Sequence, residues 1–489
     1  MSRLLFTVVA AIILYGSIAG PPAAAGVVTL NQAVDIALNK TARGEMIDGN
    51  LEVAEQNFYA RKINFYLPEI SIKGSVPAYS VDESYRFFGG ATEKRLYKTR
   101  DLGFNSFIEL NQTLITGGDI VITANLLSRE DRYPNTRSDA PVGDFINEIT
   151  RRGYFGFSYT QPLLKPSESK YTYKNTRDDL EIARIARFEE TSALKREVIE
   201  TYMDLLQMSL KLTSADAKLE AADEQARIDS LKFLDGVISE EDWLISTSAR
   251  LDAELDKFEV ETSLEEKRRA LEILLDWSDD DPIETVDPDV PGHFTGAAKH
   301  NMLNGWETST LVNKARYEYE KAKREASYRA SGHGLTGDLT ADYSSGQGYV
   351  KVDGIRNDID TKGWGISLNF SYPLWDGGSS GAQVKAAHLQ AEQARLEYNR
   401  ARQSARANIG NLINQLDVGY RRLDIISKQT DLADNRLKIA RERFEDGQIS
   451  SIALQESRAA YLDKRVEYLE ELKKYLLNRN TLGSNFTDQ

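Results

Sequence analysis

A phrase that occurs twice fixes how this chain turns back on itself. Phe233-Leu-Asp-Gly236-Val-Ile-Ser239 lies between two long runs of helical periodicity, and Phe444-Glu-Asp-Gly447-Gln-Ile-Ser450 lies between two more. Gly236 and Gly447 can take the left-handed conformation that closes a helix, because no Cβ opposes it. Ser239 and Ser450 come next at the spacing of an N-cap, whose hydroxyl accepts the first free amides of the next helix. Asp242 completes a capping box after Ser239, which the second copy lacks. Any helical hairpin needs a glycine and a cap, so one copy would say little. Two copies in two similar halves argue for an internal duplication.

The flanking runs are long. No proline occurs from Ser167 to Asp281, and Leu194, Val198, Tyr202, Leu205, Ser209 and Leu212 recur at the helical period as one narrow stripe. A helix over 167–234 would measure roughly 100 Å at about 1.5 Å per residue, far beyond a usual globular helix. A return helix is expected over 239–277. The mature chain opens with a helix over 30–66, begun by the capping box Thr29-Leu-Asn-Gln32 and stopped by Pro68. The proline-bearing segment 278–293 reads as a linker between a first repeat, 26–277, and a second, 294–489. In the second repeat, helices are expected over 294–329, 379–445 and 450–482. Ala405, Ile409, Leu412, Leu416, Tyr420, Leu423 and Ile426 give it a stripe suited to coiled-coil-like packing.

Between the helices the period changes to two, within 69–163 and again within 334–373. Ile70, Ile72 and Val76 alternate, as do Ile120, Ile122, Ala124 and Leu126, and then Phe155, Phe157 and Tyr159 across Gly156 and Ser158. Leu335, Leu339, Ala341 and Tyr343 repeat the pattern in the second half. Ile366-Ser-Leu-Asn-Phe-Ser-Tyr372 is its cleanest instance. These are strands with one apolar face and one small, polar face.

Arg3, the apolar run Leu4 to Ala19, Gly20-Pro-Pro and Ala23-Ala-Ala25 form an expected secretory signal over 1–25, cut after Ala25. No other run of eighteen apolar residues occurs, so a mature chain that enters a membrane must do so as β-strands. The net charge of -14 argues against nucleic acid as a partner. There are no cysteines, which excludes disulfides, thiol catalysis and thiolate metal sites. His293, His300, His333 and His388 lack ligand spacing and read as incidental. No nucleophile motif, metal site, cofactor site or catalytic carboxylate pair is expected, and the chain reads as no enzyme.

So few strands cannot complete a soluble sheet without open edges. A barrel shared among several chains removes them. On it Ile366, Leu368, Phe370 and Tyr372 would meet lipid, and Ser367, Asn369 and Ser371 would line water. Tyr79, Tyr154, Phe155, Tyr159, Trp364, Tyr372 and Trp375 would form an interfacial belt. Long helices with narrow seams would pack around a wet lumen as a tube. A periplasmic adaptor would need lipoyl-like domains, and a secreted coiled-coil scaffold would leave the 366–372 alternation without a purpose.

The duplicated helix-strand-strand-helix halves carry several such motifs in order. Both turn phrases, the junctions Gln161-Pro-Leu-Leu and Tyr372-Pro-Leu-Trp-Asp-Gly-Gly, and the opening Leu30-Asn-Gln-Ala-Val-Asp-Ile-Ala-Leu together resemble the TolC family of outer membrane efflux proteins. The resemblance covers nearly the whole mature chain. It implies an α+β membrane protein: a homotrimer with a β-barrel in outer membrane lipid and a long periplasmic α-helical barrel. It also implies docking to a periplasmic adaptor and an inner-membrane transporter, in efflux or type I secretion.

The sequence departs from the family twice. The family's usual protomer gives four strands, but here 81–152 holds a hairpin-like turn at Gly117-Gly118 between the long polar segments 81–103 and 129–152. That leaves either six strands or an elaborated outer hairpin. The family can also carry acids just beyond the second turn that narrow the entrance. Alignment on Gly447 puts Ala453 and Glu456 at those places, and the first copy offers Glu240, Glu241 and Asp242. Glu456 and Asp242 are the candidate gate residues, with capping the favoured role for Asp242. Phe233, Gly236, Ile238, Ser239, Phe444, Gly447, Ile449 and Ser450 form the candidate adaptor-contact turns, where packing between turn and helix would serve equally.

Overall fold

In the computed structural model, residues 26–87, 94–135, 144–164, 166–277, 282–290, 292 and 296–486 are described. The expected signal segment, the start of the linker at 278–281 and His293 lie outside them. The chain runs β1 (Val27–Val28), α1 (Leu30–Asn39), α2 (Ala42–Tyr66), β2 (Glu69–Phe87), β3 (Lys94–Thr113), β4 (Asp119–Pro134), β5 (Phe145–Pro162), α3 (Glu168–Leu234) and α4 (Glu240–Leu274). It continues through β6 (Glu284–Thr285), α5 (Gly296–Asn304), a 3-10 turn at Gly305–Thr308, α6 (Thr310–Ser331), β7 (Thr336–Val352), β8 (Ile355–Ser371), α7 (Ser379–Glu445) and α8 (Ser451–Gly483).

Two compact units share these elements, and each draws on both expected repeats. One comprises the chain through Ile47 with Glu190–His300 and Gly410–Ser484; the other comprises Asp48–Glu189, Asn301–Ile409 and the last residues.

The first unit is helical, with its core along α3 and α8. Leu194, Val198, Tyr202 and Leu205 are buried on α3, and Leu462, Val466, Leu469, Leu472 and Tyr475 on α8. The expected helix 30–66 is instead two. Thr41 turns its hydroxyl onto the Ala37 carbonyl at 2.7 Å and accepts from the Gly44 amide at 3.2 Å. A side chain at Gly44 would meet the Leu38 carbonyl oxygen at 2.2 Å, so the kink needs glycine there. The expected helix 294–329 is likewise broken, by the 3-10 turn and the Ser309 cap.

The segment expected as a linker is packed. Its β6 pairs in parallel with β1, and Ile283 is buried. The fully buried Tyr202 hydroxyl lies 2.9 Å from the Val28 carbonyl and 2.8 Å from that of Val286, and accepts from the Val286 amide at 2.9 Å. Burial, against that backbone bond, holds its pKa above the ordinary tyrosine value.

The second unit is built on one six-stranded antiparallel meander in the order β2-β3-β4-β5-β7-β8. Among the described residues this sheet therefore has six strands, two more than the family's usual four. The polar segments 81–103 and 129–152 are largely strand rather than loop. Gly117, at φ 89°, closes the β3–β4 connection, and Asp353-Gly354, at φ 46° and 88°, makes a two-residue turn between β7 and β8. Among the described residues no helix is long and apolar enough to cross a membrane.

Candidate functional site

Register sorts the sheet into two chemically distinct faces. Ile70, Leu110, Ile122, Phe157, Tyr343 and Trp364 pair successively across all six strands, making an unbroken apolar row. The next row is Ser71, Glu109, Thr123, Gly156, Ser344 and Gly363. No described residue covers the apolar face at β8: Ile366, Leu368, Phe370 and Tyr372 are 68, 62, 76 and 60% exposed. Removing such residues from water would favour lipid or another protein by about 25 cal/mol per Å² of apolar surface. Of the aromatic residues expected in an interfacial belt, Tyr154 falls instead on the polar face, opposite Asn125 and Gly346.

The same face changes character along each strand. On β8 the run from Tyr372 back to Trp364 gives way to Lys362, Asp360 and Asp358; on β3, Leu110, Ile108, Phe104 and Leu102 give way to Arg100 and Lys98. Alternation read from sequence therefore fades in the outer halves of β3 and β8, while on β2 it persists at Tyr79, Val81 and Tyr85. The polar face carries Glu69, Glu109, Asp119, Asp338 and Asp342 near the helix-joined ends of the strands, with Lys73 bound to Glu109 at 3.0 Å.

The strand-to-helix junction Trp375-Asp376-Gly377-Gly378 is a cap. Asp376 accepts from the Gly378 and Ser380 amides, each at 2.9 Å, and Gly377 and Gly378 take φ of 69° and 85°. Bonds from the Ser380 side chain and amide and from the Gly378 amide pull its pKa down to about 2.

The two hairpin turns of the helical unit are geometrically twins. Gly236 and Gly447 both sit at φ 71°. The Gly236 amide donates to the Phe233 carbonyl and that of Val237 to Lys232, at 2.9 and 2.8 Å; the Gly447 and Gln448 amides donate to Phe444 and Arg443, at 2.9 and 2.7 Å. This is the doubly bonded glycine closure of a helix. Ser239 caps α4 through the Asp242 amide at 3.1 Å, and Ser450 caps α8 through the Ala453 amide at 3.3 Å. The Asp242 carboxylate is held in its capping box, 2.7 Å from the Ser239 hydroxyl. Glu240, Glu241 and Glu456 are exposed. Ile238 and Ile449 are half-buried; Phe233 stacks on Trp243 at 5.2 Å, whereas Phe444 is exposed.

Two further features were not read from the sequence. Asp204 on α3 joins Lys473 of α8 at 2.5 Å and Lys267 of α4 at 3.0 Å. Burial pushes its carboxyl up, but the two lysines outweigh this and hold it below the usual range. Two uncovered seven-residue repeats also stand on the helices: Leu244, Leu251 and Phe258 on α4, and Val418, Ile425, Leu432 and Ile439 on α7, all exposed. They fit the seam of a coiled coil with its partner missing. The signal was present in the sequence, on the opposite side from the stripe that packs within the chain.

An amphipathic antiparallel sheet with long helical hairpins is a fold also found in solved outer membrane proteins. The chain is similar to the CmeC outer membrane channel of Campylobacter jejuni, at 15% identity and a TM-score of 0.58 over 94% of this chain and 86% of that one. It is also similar to VceC of Vibrio cholerae (13%, 0.58, 94% and 97%) and to the open MtrE outer membrane channel of Neisseria gonorrhoeae (14%, 0.58, 93% and 88%). At these identities the likeness is one of fold. Residues 309–484 match the model of the outer membrane efflux protein family. No curated relative matches the chain in sequence.

Proposed function

We propose that this protein is the outer membrane channel subunit of a tripartite efflux or type I secretion system. Three copies form a passive conduit: their sheets close a barrel in outer membrane lipid, and their helices enclose a periplasmic tunnel. An inner-membrane transporter supplies the energy, and a periplasmic adaptor docks at the turns around Gly236 and Gly447. The observation that carries this reading is the uncovered apolar row from Ile70 to Trp364 on a sheet whose edge strands, β2 and β8, have no outer partner among the described residues. Such edges and such a face cannot both stay in water. The uncovered repeats on α4 and α7 supply the helical surfaces for association.

The entrance lies at the helical turns, where Glu456 from three chains forms a carboxylate ring that favours cations. Glu240 and Glu241 flank it, while Asp242 serves its capping box. Membrane fractionation tests the reading: the mature chain stays with the outer membrane until detergent is added. Release without detergent would contradict it.

A further inference from the structure

The sheet carries information about the size of the pore. Its six strands form one continuous ladder, in which the β3–β4 hairpin pairs along its length with both β2 and β5. The hairpin is thus part of the wall. Because the number of strands is even, β2 and β8 run antiparallel, and β8 of one copy can pair with β2 of the next in the sense used throughout the sheet.

The stagger fits closure. A line of partners from Glu69, the first residue of β2, crosses Asn111, Val121, Ser158 and Asp342 to Gly365, which lies six residues before the end of β8 at Ser371. Counted over the six inter-strand steps that include the seam to the next copy, at about 3.3 Å per residue and about 4.8 Å between strands, the strands tilt by roughly 35°. Closed barrels use 35–45°. Pairing Ser371 with Glu69 of the neighbour continues this slope, and it sets Lys73 opposite Ser367 and Ile72 opposite Leu368. Each face then stays on its own side of the wall, as a one-residue slip would not allow.

Resting on the threefold reading above, we infer that the chains join through this β8–β2 seam into an eighteen-stranded barrel. Its backbone diameter is about 34 Å, against about 23 Å for twelve strands at the same tilt. A barrel of that width leaves an aqueous channel rather than a side-chain-filled interior. The outer membrane segment is then a wide vestibule with room for polypeptide carrying secondary structure. The narrowest point lies outside the sheet.

The chain has no cysteine, so paired substitutions report the seam without background. Lys73→Cys with Ser367→Cys, and separately Ile72→Cys with Leu368→Cys, sample both kinds of antiparallel pair, of which one brings the Cα atoms to about 4.5 Å. Oxidation of outer membranes is expected to convert at least one double variant to disulfide-linked dimers and trimers, while all four single variants stay monomeric on denaturing gels. Cryo-electron microscopy of the unsubstituted protein is expected to show eighteen wall strands. A threefold ring with twelve, the β3–β4 hairpin standing outside, would overturn the wide barrel and leave the channel reading intact. Absence of a ring, or a link within one chain, would overturn both.

Discussion

The hairpins α3–α4 and α7–α8 begin from the same turn and differ in the residues beyond it. In the first, Phe233 stacks on Trp243, Asp242 closes a capping box, and three ion pairs cross from α3 to α4: Asp223–Arg250 at 2.6 Å, Asp216–Lys257 at 2.9 Å and Asp204–Lys267 at 3.0 Å. In the second, Phe444 is exposed, and Lys428, Lys438, Lys464 and Lys474 pair within their own helices. The Thr430 hydroxyl reaches the Lys464 carbonyl across it at 3.4 Å. Meanwhile α8 is tied to α3 through Ser214–Asp463, Lys218–Asp463 and Lys473–Asp204. The duplicated phrase therefore fixes the fold-back, and its neighbours along each helix fix how firmly each hairpin is held. Among the described residues α7 meets α8 through Thr430 and through the Tyr420–Tyr475 rings at 6.1 Å, and a conduit that opens at its helical end would draw its moving part from there.

The comparison yields predictions in descending size. Asp204→Ala removes the point where α3, α4 and α8 meet and leaves Lys473 poorly exposed without its carboxylate. Roughly 1–3 kcal/mol of local stability is expected to be lost, read as faster amide exchange in all three helices. Gly236→Ala and Gly447→Ala force a Cβ into the left-handed region and are expected to cost about 1–2 kcal/mol each. Equal costs would confirm that the turns are energetic as well as geometric twins. Ser239→Ala and Ser450→Ala each remove a cap, at about 1 kcal/mol; the first should cost more, because it also strands Asp242. Arg250→Ala with Lys257→Ala should bring α4 exchange toward that of α7 by a smaller step, because these pairs are half exposed and screened by solvent.

The smallest effect concerns pH. A bond from Gln225, aided by Lys232 and Ser246 against burial, holds the Asp229 carboxyl below its ordinary value of 3.8. A carboxylate lowered in the fold stabilises fully above that ordinary value and loses its contribution as pH falls below it. The corresponding place in the second hairpin is Ala440, so acid should narrow the difference between the hairpins. Exchange rates corrected for intrinsic pH dependence would show it as pH falls below 3.8.

What was legible in the sequence was what has local chemistry. Gly236, Ser239, Gly447 and Ser450 spell their turns, and the stripe from Leu194 to Leu205 is buried as its period required. The strand number was hidden because residues 81–103 and 129–152 lie largely where alternation fades although pairing continues. The break at Thr41 carries no proline; it depends on a hydroxyl and on the close approach of Gly44. The segment 278–293 looked like a linker because its prolines are visible and its contacts with β1, Tyr202 and Arg465 are not.

Conductance across a planar lipid bilayer tests the central claim most directly. Purified full-length protein is expected to insert and give long-lived, discrete current steps that favour cations, with that preference reduced by Glu456→Ala. Protein that leaves the bilayer as insulating as before, at concentrations where it is intact and folded, would contradict the account.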